Sequence, residues 1–114
     1  HGMARVASLP NVAVKLDGIG ISRLGIVPIP EAELVARLAR RWVPYVSETI
    51  ALFGPGRCLY ATNAPVDGAA CPMRRHLNYH KLLFSTLSDE EQQAIFWKNA
   101  SRIYSLDLRR AGAG

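Results

Sequence analysis

Two stretches, Asn11-Val-Ala-Val-Lys-Leu-Asp17 and Arg57-Cys-Leu-Tyr-Ala-Thr-Asn63, decide how this chain of 114 residues is to be read. Both are made largely of compact, β-branched or aromatic residues, and both alternate with a period of two, the pattern of a strand. In the first, Val12, Val14 and Leu16 share one face, while Ala13, Lys15 and Asp17 share the other, which turns polar toward the strand's end. In the second, Leu59, Ala61 and Asn63 share a face, Cys58 lies on the opposite one, and Pro65 ends regular pairing. An apolar strand that becomes polar at its carboxyl tip is what a barrel strand shows at its catalytic end.

Working outward, residues 18–30 mix glycine, proline and apolar residues and read as a long, partly buried loop. Pro30 suits a first helical position, and Glu31 and Glu33 favour the positive end of a helix dipole. Leu34, Val35, Leu38 and Trp42 recur at helical spacing, with Arg37, Arg40 and Arg41 elsewhere on the wheel. Pro44 is expected to kink or divide this helix. Beyond it, Val46, Ile50 and Phe53 continue the apolar stripe to Gly54-Pro55-Gly56, a stop signal that leads into the second strand. Residues 74–86 read as helical. Ser88-Asp-Glu-Glu91 is a capping box opening a last helix to about Tyr104, with Ile95, Phe96, Ile103 and Tyr104 in its buried positions. Strand, helix, strand, helix is the order of parallel βα units, so the fold class is α/β.

The bulk properties bound the function. With 49% hydrophobic and 20% charged residues the chain has the balance of one folded domain, 3–114, yet it is far short of the roughly 250 residues of a closed (β/α)₈ barrel. His1 and Gly2, ahead of Met3, read as residues left by expression. The net charge of +5 comes from scattered arginine pairs, Arg40–Arg41, Arg74–Arg75 and Arg109–Arg110, with no basic stripe interleaved with aromatics, so nucleic acid is not expected as a partner. Cys58 and Cys71 form no CxxC pair, which suits a reducing, cytoplasmic setting. No stretch approaches a membrane span and no signal peptide opens the chain, so no membrane partner is expected.

At this point the residues resemble a known family, the amidohydrolase-related barrels (amidohydrolase 2 type), which include decarboxylases of aminocarboxymuconate semialdehyde type and lactonases acting on pyrone dicarboxylates and sugar lactones. Leu9-Pro-Asn-Val-Ala-Val-Lys-Leu-Asp-Gly18 resembles the family's penultimate strand, and Phe53-Gly-Pro-Gly-Arg-Cys-Leu-Tyr-Ala-Thr-Asn-Ala-Pro-Val-Asp67 its last strand. Leu87-Ser-Asp-Glu-Glu91, with Phe96 and Asn99-Ala-Ser-Arg-Ile-Tyr-Ser-Leu106, is similar to its closing helix. The resemblance implies a partial (β/α)₈ barrel, helix-rich, comprising the last two βα units and the C-terminal helix. It also implies a hydrolase class acting on a lactone or amide of a small carboxylic acid, and a divalent metal, zinc, in many members. The position matching Asn63 is an aspartate in many of them, serving as metal ligand or base. An amide can do neither well, but it can hold a substrate oxygen or a water. The histidines that bind metal in the family belong to sequence absent from this chain, so no cofactor is expected for it alone.

The candidate substrate-binding residues are Lys15, Asp17 and Asn63 at adjacent strand tips, together with Asp67, which the Pro65 turn carries toward the outside of the mouth. The bland alternative pairs Lys15 with Asp17. No catalytic residue is assigned. His76 and His80, four apart on a helix, would present both rings on one face; without a third ligand they read as a surface or partly packed pair and not as a metal site. Cys58 reads as core; Cys71, beside Pro72, has no activating neighbour in the sequence. Trp42 and Trp97 read as core or interface anchors.

A two-stranded parallel sheet leaves both edges open and its apolar faces uncovered. The expected solutions are self-association, most simply as a homodimer, or docking to the absent N-terminal part of the barrel. Two functions follow: a hydrolase-type fragment, inactive as an isolated chain, or a non-catalytic oligomeric remnant that keeps the fold's packing as an interaction module.

Overall fold

A computed structural model describes residues 2–17, 31–65, 73–107 and 109. The elements in order are helix α1 (Gly2–Ala7), strand β1 (Val14–Leu16), helix α2 (Glu31–Phe53), a 3₁₀ turn (Pro55–Arg57), strand β2 (Cys58–Tyr60), helix α3 (Met73–Leu83), helix α4 (Asp89–Gln93), a π turn (Ala94–Lys98) and helix α5 (Asn99–Ile103). The two strands pair in parallel, Val14 with Cys58, Lys15 with Leu59 and Leu16 with Tyr60. This is the expected strand–helix–strand crossover, with shorter strands than the alternation suggested.

The register sorts the side chains. Val14, Leu16, Cys58 and Tyr60 share the face that joins the core, where Leu16 and Cys58 are buried with Val46, Ile50 and Phe53 of α2, Tyr79 and Leu83 of α3, Phe84, and Ile95. Lys15 and Leu59 take the opposite face, where Ala100 of α5 and Tyr104 lie near Leu59.

Pro44 does not divide α2, which runs 23 residues through it. An interior proline forfeits one backbone hydrogen bond. Here Ala39 ahead of it and Val46, Ile50 and Phe53 after it are buried on the same core, and their burial holds the helical path. The capping box forms as read: the Ser88 Oγ accepts from Glu91 N at 3.2 Å and the Glu91 carboxylate accepts from Ser88 N at 2.9 Å. The helix it opens passes through a π turn that buries Ile95, a local widening that the sequence pattern does not announce. Of the four positions expected to be buried there, Ile95 is fully so and Phe96 partly. Ile103 and Tyr104 are 39% and 59% exposed, because the chain turns away at Ser105, whose φ is 53°.

Two polar side chains stitch β2 into place. Arg57 donates to four main-chain carbonyls: from Nε to Phe53 at 2.9 Å, from Nη1 to Leu9 at 2.8 Å and Val12 at 3.2 Å, and from Nη2 to Ala7 at 2.8 Å. Its fork thereby ties the end of α1 and the approach to β1 to the residues before β2. Asn99, buried, donates through Nδ2 to the carbonyls of Pro55 at 2.6 Å and Cys58 at 2.8 Å, fastening α5 to the strand.

Candidate functional site

The site lies where the two strands end. Leu59 is its floor, 3% exposed, on the sheet face opposite the one that joins the core. Lys15 is Leu59's partner across the pair, so its side chain stands on that same face, and Asp17 follows one alternation later. The Lys15 ammonium and the Asp17 carboxylate lie 3.8 Å apart, both partly in water, a contact whose net contribution is at most about 1 kcal/mol. The bland pairing is thus present. It does not consume either group, because both also line an open cavity of about 570 Å³ with Leu59, Thr62, Asn63 and Tyr104.

Beyond β2 the chain turns sharply. The Thr62 hydroxyl accepts from the Ala64 N–H at 3.3 Å, Asn63 takes a left-handed φ of 51°, and the Ala64–Pro65 peptide is cis. Asparagine is one of the few residues other than glycine that adopts this conformation readily, which makes it suited to the rim of the cavity. The structure therefore brings together three of the four sequence candidates, Lys15, Asp17 and Asn63. Asp67 lies outside the described residues, as does Cys71.

Tyr104 is the cavity residue that sequence reasoning missed. Its place in the apolar series of the last helix assigned it to the core, yet it is the final turn's residue and caps against the Ala100 carbonyl at 2.9 Å. The four-residue spacing of Ala100 and Tyr104, both lining the cavity, was the available signal.

His76 and His80, read as a surface or partly packed pair, are fully packed in the core. They are 1% and 0% exposed, and their rings stack 4.5 Å apart behind the sheet, on the side opposite the cavity. Burial, which penalises the charged ring, lowers His80 to about 4 against the upward pull of its carbonyl neighbours, so it is neutral at pH 7. Burial likewise pushes the Cys58 thiol up to about 11, despite Arg57 nearby, which makes it an inert core residue as read. Trp42 packs partly against the core, and Trp97 is 47% exposed.

Metal chemistry requires convergent donors. Among the described residues no group of three His, Cys, Asp or Glu side chains comes together, and the carboxylate that reaches the cavity, Asp17, already faces an ammonium. These residues do not by themselves fit a divalent ion.

A parallel strand pair crossed by a helix, with polar side chains near its carboxyl ends, is an α/β arrangement. The comparisons narrow that class. The chain belongs to the amidohydrolase family, whose model matches residues 2–106, and membership implies a fold of the (β/α)₈-barrel kind. It is 32% identical over 102 residues, 90% of the chain, to the uncharacterized protein y4mH of Sinorhizobium fredii (strain NBRC 101917 / NGR234), and it spans 31% of that protein's length. No solved structure matches it. No helix among the described residues is long and apolar enough to cross a membrane.

Proposed function

We propose that this chain forms the last two βα units and closing helix of an amidohydrolase barrel and contributes one wall of its substrate pocket, with a lactone or amide of a small carboxylic acid as substrate. The observation that carries the reading is the convergence of Lys15, Asp17 and Asn63 on one cavity at the carboxyl end of a parallel pair. In this reading Lys15 attracts the substrate's carboxylate or polarises its carbonyl, Asp17 orients the ammonium, and Asn63 holds a substrate oxygen or a water with its amide. A divalent metal, where the barrel uses one, is held by donors from the remaining strands, and no step is assigned to it.

Isolated, the chain is inactive: its two strands cannot enclose a substrate, and the base that an aspartate would supply at position 63 is an amide. The open strand edges are covered by the rest of the barrel or, failing that, by a second copy of the chain. A screen of lactone and amide hydrolysis tests the reading, run on the chain alone and on the longest product of its coding sequence. The expected result is hydrolysis by the longer form only, reduced at least roughly tenfold by Lys15→Ala or Asn63→Ala. Activity that survives both substitutions removes the site assignment. A longest form that hydrolyses nothing favours the non-catalytic module.

A further inference from the structure

Behind the candidate site, on the core side of the sheet, two residues of α3 reach the same rung of the strand pair. Leu16 and Tyr60 are register partners, one residue past Lys15 and Leu59. The His80 Nε2 lies 3.3 Å from the Leu16 carbonyl oxygen, and the His76 Nδ1 lies 3.4 Å from the Tyr60 hydroxyl. One histidine thus touches each strand. The His80 Nδ1 is 2.8 Å from the carbonyl of His76 one turn earlier, which fixes the ring's rotation about its own helix. The neighbours complete the seat: the Tyr60 ring meets His80 edge-on at 4.7 Å, and the rings of Tyr79 and Phe84 lie 4.3 and 5.7 Å from His80.

We propose that His76 and His80 are a paired positioning element for the site: spaced four apart on α3, they clamp β1 and β2 from behind at the Leu16–Tyr60 rung and set the separation of Lys15 and Asp17 from Asn63 on the opposite face. The inference rests on the reading of those three residues as the site. The physical reason is leverage through a short sheet. With three paired residues in each strand, the splay of the strand tips is decided by what holds their last rung, and here that is a pair of rings with directional polar contacts in place of aliphatic packing alone. An apolar side chain in either place would fill the volume without specifying the angle between the strands. A neutral ring has one N–H, which two carbonyls at 2.8 and 3.3 Å compete for. The link to β1 is made with the proton on Nε2, which donates to the Leu16 carbonyl in the neutral ring, so it needs no charge but does need that one tautomer.

The test needs no substrate, so a failed hydrolysis screen leaves it standing and a successful one does not prove it. Amide hydrogen exchange and the side-chain amide signals of Asn63 are followed by NMR in the whole chain carrying His80→Phe, His80→Gln or His76→Leu. Expected are exchange faster by at least roughly tenfold at the β1 and β2 amides and a moved Asn63 signal in His80→Phe and His76→Leu, with the amides of α2 little changed, and recovery toward wild type in His80→Gln, whose amide restores a donor. Unchanged strand exchange and an unmoved Asn63 signal overturn the proposal, as does acceleration spread evenly over all helices, the mark of a merely structural pair. Should the substituted chains fail to fold, the wild-type ring nitrogens answer: each histidine locked in a single tautomer at neutral pH supports the clamp, and shifts averaged between tautomers, as for a histidine in water, refute it.

Discussion

Replacing Arg57 with alanine removes the side chain that joins the approach to β1 to the approach to β2, and the geometry sets the size of the effect. Four donated bonds are lost, three of them at 2.8–2.9 Å, together with the guanidinium's position 5.3 Å from the centre of the Phe53 ring. A bond from a charged donor contributes about 1.5–3 kcal/mol when its acceptor is otherwise unpaired. Here the acceptors sit at a partly open surface, where water replaces the donor, so about 1 kcal/mol for each of the three short bonds is the better figure, the 3.2 Å bond adds little, and the sum is about 3 kcal/mol. With a denaturant slope of about 2 kcal/mol per molar urea, the unfolding midpoint should fall by about 1.5 M. Arg57→Lys keeps the charge but replaces a planar fork with a point donor that cannot span carbonyls of residues 7, 9, 12 and 53; it should lose about 2 kcal/mol. Urea titrations followed by tryptophan fluorescence make the comparison directly. A loss below about 1 kcal/mol for Arg57→Ala, or a lysine variant as stable as wild type, refutes the claim that this fork holds the strands together.

The buried His80 makes stability depend on pH. Its folded value of about 4 lies below the ordinary 6.5, so the neutral ring's contribution is complete above pH 6.5 and is lost as pH falls through 4, a swing on the order of 3 kcal/mol; a ring proton signal that titrates near 6.5 in the folded chain would contradict this. Cys58, fully buried with its thiol near 11, should resist a thiol reagent at pH 8 in a Cys71→Ser background until the chain is unfolded by urea, and stoichiometric labelling of the native protein would show the burial to be wrong. Asn99→Ala should cost about 2 kcal/mol by leaving the Pro55 and Cys58 carbonyls without their donor, measurable as a lowered midpoint of thermal unfolding.

What was legible in the sequence was whatever repeats with a local period or sits in a local motif. Alternation about Val14 and Leu59 sorted the faces of each strand, with Lys15 opposite Val14 and Leu16 and with Leu59 opposite Cys58, because side chains in a strand point alternately whatever surrounds it. The capping box at Ser88 was equally plain, since its four residues satisfy one another. The same local logic misjudged Pro44, whose penalty is real but smaller than the burial of the residues on either side. It also misjudged Tyr104, apolar in the helical series yet beyond the last turn that the core covers.

The sequence by itself determined the α/β class of the fold and the family, because these follow from periodicity and from motifs whose partners are a few residues apart. Only the tertiary structure decided that His76 and His80 are core and not surface, that Arg57 reaches back 45 to 50 residues to the carbonyls of Val12 and Ala7, and that Asn99 seals the start of β2. Those are contacts between segments distant along the chain. Whether a polar side chain is buried depends on which groups arrive opposite it when the elements pack, and no local pattern encodes that arrival.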